Sequence, residues 1–204
     1  PKTQPKESNR ELRENQNAQA VRAYCAMSVE EFKDINARQK WANWRSIPRN
    51  LEGRLQARPC RAVDLCAGVG DSAEVLAYHL PAGSEILGLE YNPAFVRTAF
   101  RAQSVLEEFR DAEGARLPDA SVDLVNSCGA LAINFDEPAL DALATEIARV
   151  LRAGGLAAID SMAKGPDRER MIAVFRRHRF EMLGSARSCF LDRFTQLCFR
   201  RREG

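Results

Sequence analysis

Residues 62–77 read AVDLCAGVGDSAEVLA: an apolar run carrying one acid, Asp64, a short turn with glycines at 68 and 70, then helix formers. Glu90 lies twenty residues beyond Gly70, closing a second apolar run, EILGLE. Glycine at the end of a buried strand lets backbone approach a ligand with no Cβ in the way. In open parallel sheets ligands bind outside the carboxyl ends of the strands, where strand order reverses, and Asp64–Gly70 falls at such a point. A carboxylate at Glu90 can accept two hydrogen bonds from adjacent ribose hydroxyls. Asp111, closing a third strand segment, can accept from an exocyclic amine. Taken singly, these are a tight turn, a solvated strand-end acid and a turn acid. Together, at successive strand ends, they point to one bound ligand.

A scaffold must place them, and the pattern of the chain from Cys60 onward supplies it. Strands are expected near 61–66, 85–90, 105–110, 121–127 and 155–161, with helices between them near 71–79, 93–102, 137–151 and 167–178. Such alternation argues for a parallel sheet covered on both faces. The tail, FEMLGSARSCFLDRFTQLCFR, holds two apolar runs with no helix between them, which reads as a hairpin with an antiparallel last strand. Ahead of this lie two capping-box patterns, Ser8-x-x-Glu11 and Ser28-x-x-Glu31. The first opens a helix to about Ala26. The second opens a helix whose Phe32, Ile35, Trp41 and Trp44 share roughly one face, with Pro48 interrupting it and RNLEGRL forming a short helix after it. The expected organisation is an N-terminal helical extension or lid over residues 1–57 and a ligand-binding domain over 58–204. Two helices ahead of a complete α/β domain are expected to be unnecessary for its core.

At these residues the sequence resembles the class I S-adenosylmethionine-dependent methyltransferases. VDLCAGVGDSAEVLA resembles that family's first motif and ILGLEYNP its second; RDAEGARLPDASVDLV resembles the adenine-binding segment, and LDALATEIARVLRAGGLAAI the following helix, paired-glycine turn and strand. The resemblance spans about residues 60–161. It implies a Rossmann-like, seven-stranded, mostly parallel sheet with an antiparallel terminal hairpin, and S-adenosylmethionine as cofactor. By matching position, Glu90 would hold the ribose, Asp111 the adenine amine and the Ala112 amide a ring nitrogen, with Tyr91 against the adenine face. Asp64 and the Cys66–Gly70 backbone, including Gly68, would surround the methionine portion, with Asn126 nearby; outside the matched span, a lid formed by the N-terminal helix would set Arg45 near the cofactor carboxylate. One departure stands out: the family's first glycine is Cys66 here.

Two other readings share these residues. A nicotinamide-binding dehydrogenase uses a similar turn, but its fingerprint places glycine where Ala73 stands, and the Tyr-x-x-x-Lys pair of one large dehydrogenase group is absent. A non-catalytic binding protein of the same fold remains open. For the chemistry, alignment of nucleophile, methyl and sulfur suffices for many acceptors, so a general base is optional. His79 and His178 read as helix-end residues, no catalytic residue can be named, and no metal-ligand cluster is visible. Asn126-Ser127-Cys128-Gly129 is not the Asn/Asp-Pro-Pro-aromatic clamp of relatives that methylate base amines. The expected acceptor is therefore a small molecule or peptide, with no nucleic-acid partner; a methyltransferase acting on RNA or protein is the less favoured alternative. Acceptor contacts would come from the N-terminal helices, residues 128–137 and residues 162–170. Trp41 and Trp44 would either pack that helix or line a lid.

Composition adds bounds. Lys+Arg 30 against Asp+Glu 28 is too balanced to announce a polyanionic partner, and the Arg-rich runs FRRHR and FRRRE read as solvated surface. No apolar stretch reaches the roughly 20 residues that cross a bilayer, so no membrane partner is expected. Six scattered cysteines with no C-x-x-C pair read as free thiols in a cytoplasmic protein.

Overall fold

The computed structural model describes residues 19, 21–90, 92, 94–95, 101–102, 109–110, 114–131 and 135–203. Of the helix expected over 93–102, residues 94–95 form a turn and 101–102 a short strand paired to the end of Glu85–Glu90, so the expectation fails there; its other residues, most of the strand expected over 105–110, and Tyr91, Asp111 and Ala112 lie outside the described residues. So does most of the helix expected from Ser8, of which residues 21–26 are described and are helical.

The strands are β1 (Arg61–Leu65), β2 (Glu85–Glu90), β3 (Arg101–Ala102), β4 (Val122–Ser127), β5 (Leu151–Met162), β6 (Phe180–Ala186) and β7 (Phe194–Arg201). Six of them, with the two-residue β3 pairing, form one mixed sheet in the order β3-β2-β1-β4-β5-β7-β6. β1 pairs in parallel with both β2 and β4, so strand order reverses beside β1, where the glycine turn leaves the sheet. β7 runs antiparallel between β5 and β6, as the two apolar runs of the tail predict.

Alternation along the strands sends side chains to two apolar layers. Val63, Leu65, Val125, Ile159, Leu197 and Phe199 face helices α3 (Glu137–Val150) and α4 (Pro166–Arg177). Ala62, Leu124, Ala158 and Cys198 face helices α1 (Val29–Leu51) and α2 (Asp71–His79). Helix α3 shows why such segments are helical: Asp136 caps it by accepting from the Ala139 amide, and Leu140, Leu143, Ala144, Ile147 and Val150 recur at three- and four-residue spacing.

Three further expectations are corrected. Pro48 does not interrupt α1; it sits inside the last turn, and the helix continues because Ile47, Asn50 and Leu51 are buried against the sheet beyond it. Proline removes one amide and disfavours the preceding turn, but burial of two aliphatic side chains outweighs that loss here. For the same reason α1 is part of the domain's core rather than dispensable to it. Gly154-Gly155 lies within β5 rather than before it: two steps along β4, from Val122 to Leu124, are matched by five along β5, from Leu151 to Leu156, so the pair bulges out of the ladder.

The segment after β3 is tied to α3. The Glu146 carboxylate accepts from the Phe109 amide at 2.9 Å and pairs with Arg149, whose Nη1 donates to Leu117 O at 2.7 Å and Asp119 Oδ1 at 2.6 Å. Leu117 N donates back to Phe109 O. Burial alone would raise the Glu146 carboxyl, but Arg149, the Phe109 amide and Arg116 hold it below the ordinary carboxylate range. Removing one partner of such a cluster leaves the others buried and unpaired. Glu146→Ala is expected to cost about 2–4 kcal/mol in chemical denaturation, with thermal melting as an independent check.

Candidate functional site

Register across β1 and β4 sets Asp64 opposite Asn126, and Glu90 ends β2 one position beyond the partner of Leu65. Both carboxylates are buried, at 0% and 1% exposure, so each requires donors. Asp64 accepts from Ser72 Oγ at 2.7 Å and from Asn126 Nδ2 at 2.8 Å. Asn126 Oδ1 accepts from Gln196 Nε2 at 2.8 Å, Gln196 Oε1 from Asn50 Nδ2 at 3.1 Å, and Asn50 Oδ1 from Arg54 Nη1 at 2.9 Å. A buried polar chain thus crosses from α2 through β1, β4 and β7 to α1.

The turn itself has left-handed backbone at Cys66 (φ 57°), Gly68 (φ 56°) and Gly70 (φ 92°). Glycine adopts this region freely; cysteine there is strained by roughly 1–2 kcal/mol. Gly68 N donates to Glu90 Oε2 at 2.6 Å, and the Asn92 amide donates to Oε1 at 2.7 Å. Gly70 caps α2, whose first turn carries Asp71 and Glu74; Lys40 of α1 pairs with both, at 3.1 and 3.0 Å.

Helix α1 lies across these strand ends. Its inward face is Phe32, Asn36, Gln39, Asn43, Ser46, Ile47 and Asn50, half-buried or buried, whereas Ile35 and Trp41 are 63% and 45% exposed. The Phe32 ring rests on Gly68 so closely that a Cβ there would sit 2.7 Å from its Cζ. Gln39 lies over Gly129 in the same way, at 3.3 Å. Trp44 packs edge-on against Tyr78 and His79 of α2. The structure does not bring Arg45 to the site: it is exposed and stacks over Trp41 at 4.1 Å.

Asp64, Cys66, Gly68, Gly70, Glu90 and Asn126 therefore converge, while Arg45 stands apart. Several partners carry no sequence signal of function. Tyr24 donates to Glu90 Oε1 at 2.9 Å from a helical turn with no motif. Gln196 is a lone amide inside an apolar strand, which is the only hint of its buried role. Asp160, in the carboxyl-terminal part of β5, accepts from Ser127 Oγ and the Leu131 amide, both at 3.2 Å. Next to it, Ser161 Oγ is buried with no hydrogen-bond partner among the described residues. Burial pushes the Cys66 and Cys128 thiols well above their ordinary value, so both stay neutral. The two Arg-rich runs meet at the opposite end of the sheet, where Arg176, Arg179 and Arg202 line a cavity of about 310 Å³ with Glu181.

These residues fit an adenosine-bearing cofactor. Glu90 already accepts an O–H from Tyr24, the kind of donor a ribose supplies, and the turn beside it presents backbone with no side chain at Gly68 or Gly70. Residues 62–155 match the family described as Methyltransferase domain. No curated protein matches the chain. Among solved structures, 1,6-didemethyltoxoflavin-N1-methyltransferase from Burkholderia thailandensis, with bound 1,6-didemethyltoxoflavin and S-adenosylhomocysteine, aligns at 17% identity and TM-score 0.65 over 100% of this chain and 94% of its own. The putative methyltransferase complexed with the Trm112 activator from Haloferax volcanii aligns at 17% identity and TM-score 0.64, over 87% and 99%. A TehB-like S-adenosylmethionine-dependent methyltransferase from Corynebacterium glutamicum aligns at 16% identity and TM-score 0.62, over 91% and 100%. At these identities the likeness speaks for the fold. Residues 62–155 thus match a methyltransferase domain, and the sheet order is that of the fold these S-adenosylmethionine-dependent methyltransferases share.

Burial pushes the Asp64 carboxyl up to about 6; hydrogen bonds from Ser72, Asn126 and the Ala73 backbone limit the rise, and the charge of Glu90 adds to it. A raised acid means that the folded state holds its proton to higher pH than the unfolded chain. The ionised form is therefore a burden above pH 6 that is relieved as pH falls towards 4. Wild-type stability relative to Asp64→Asn is expected to improve by about 2 kcal/mol between pH 7 and pH 4, as read from denaturant midpoints. A constant difference across that range would refute the assignment.

Proposed function

We propose that the protein transfers the methyl group of S-adenosylmethionine to a small-molecule or peptide acceptor. The observation that carries this reading is Glu90: a carboxylate buried at the end of β2, hydrogen-bonded to the glycine turn and already receiving a hydroxyl donor. Bound there, the cofactor supplies an electrophilic methyl on a sulfonium. The chain's own residues hold, orient and enclose. Glu90 takes the ribose hydroxyls, the left-handed turn admits the methionine portion, and Asp64 with Asn126 fixes the floor beneath it. By matching position, Asp111, Ala112 and Tyr91 take the adenine.

Residues 28–47 act as a lid in this reading, with Phe32 and Gln39 on its inner side in place of the tryptophans. Excluding water from the sulfonium favours transfer over side reactions. The acceptor then lies towards the carboxyl ends of β4 and β5, near Cys128, Asp160 and Ser161. A small acceptor is favoured because the Burkholderia enzyme, with 1,6-didemethyltoxoflavin bound, aligns with the whole of this chain. The absence of a Pro-Pro clamp after Asn126 argues against a nucleic-acid base.

Two measurements test this. Glu90→Ala removes charge-assisted hydrogen bonds worth roughly 1.5–3 kcal/mol each, so calorimetry with S-adenosylhomocysteine is expected to show binding weakened at least tenfold. Intact protein with no affinity would end the proposal; affinity without turnover on any small molecule or peptide would favour the non-catalytic binder. For the lid, S-adenosylhomocysteine is expected to slow amide exchange in residues 28–39, and an unchanged rate there would rule it out.

A further inference from the structure

Tyr24 stands just outside the lid helix, yet its hydroxyl reaches the one carboxylate on which cofactor binding is proposed to depend. The phenol donates to Glu90 Oε1 at 2.9 Å, the same oxygen that accepts from the Asn92 amide at 2.7 Å, while Oε2 accepts from Gly68 N at 2.6 Å. A carboxylate offers about four lone-pair sites, so at least three are already engaged by the protein. A ribose offering two hydroxyls has no pair of free sites to meet.

The strap that brings Tyr24 there is itself fastened. Asn92 Nδ2 donates to Tyr24 O at 2.7 Å and reaches Met27 O at 3.4 Å, so one residue grips both the strap and, through its amide, Glu90. The Tyr24 ring packs edge-on against Phe32 and Phe95, at 6.1 and 5.6 Å between centroids, with Phe32 lying on Gly68. Burial and the charge of Glu90 hold the phenol well above its ordinary pKa, so it remains a proton donor throughout the working range. Residues 27 and 28 break the helix between the strap and α1, which Ser28 caps separately, giving the strap a place to swing without disturbing the core.

We infer that Tyr24 is a built-in competitor for the ribose site: its hydroxyl occupies Glu90 in the empty protein and must leave when the cofactor's ribose arrives. This rests on the reading of Glu90 as the ribose acid. The strap sets cofactor affinity, because the binding-competent fraction is only that in which Glu90 is released. It also keeps a buried carboxylate satisfied in the empty protein, so the turn does not collapse when no ligand is present.

Tyr24→Phe keeps the ring and its packing while deleting the donor. S-adenosylhomocysteine is expected to bind this variant more tightly than wild type, by roughly tenfold, as measured by calorimetry. Deleting residues 1–27, which leaves Ser28 and all of α1, is expected to act in the same direction. In wild type, ligand is expected to speed amide exchange in residues 21–26 while slowing it in residues 28–39. Equal or weaker binding by Tyr24→Phe, with wild type binding normally, overturns the competitor and leaves the proposed function intact. No binding by wild type, variant and truncated protein alike overturns both.

Discussion

A carboxylate removed from water must be met by donors or lose its charge, and Glu90 is the point at which this protein meets that demand. Its donors come from the glycine turn after β1, from the residue two beyond it, and from a segment some sixty residues earlier. The turn's left-handed backbone, the position of α2 behind it and the seating of Phe32 all follow from keeping that carboxylate hydrogen-bonded. The strain at Cys66 fits the same picture. A non-glycine residue persists at positive φ because the surrounding structure over-determines it.

Beneath this lies a second buried carboxylate with a different solution. Asp64 is satisfied by neutral partners, Ser72 and Asn126, and among the described residues no cation offsets its burial. The amide chain through Gln196 and Asn50 extends that network to α1. Half-satisfied networks are worse than apolar packing, and a fully connected one specifies a single arrangement. The same residues that lie beneath the glycine turn therefore also fix where α1 lies on the sheet. The far end of the sheet uses another device: Asp123 pairs with Arg58 and Arg152 at the surface, where water shares the cost.

That division suits the proposed methyl transfer, which would rely on enclosure more than on acid–base groups. Cys66 and Cys128 remain neutral and Asp160 is engaged with Ser127 and Leu131. What the strand ends offer is shape, carboxamides and a buried hydroxyl, consistent with positioning as the main contribution.

Most of the strand–helix alternation, the glycine turn, Glu90 and the terminal hairpin are legible in the residues alone, because each rests on local chemistry: apolar periodicity, backbone freedom, and an acid at a strand end. So is the start of α1, since Ser28 and Glu31 form a cap within one turn. What α1 does was decided by tertiary structure. Its inward stripe is mostly Asn, Gln and Ser, which an apolar-periodicity reading passes over, while Ile35 and Trp41, which that reading selects, face solvent. Amides face inward because the surface below them is a row of strand-end polar groups, a fact carried by residues 64, 126 and 196. Pro48 marks a helix end by local rules, yet burial of Ile47 and Leu51 carries the helix past it. Tyr24 and Glu90 are 66 positions apart in the chain. No local pattern relates them, and only the fold brings the hydroxyl to the carboxylate.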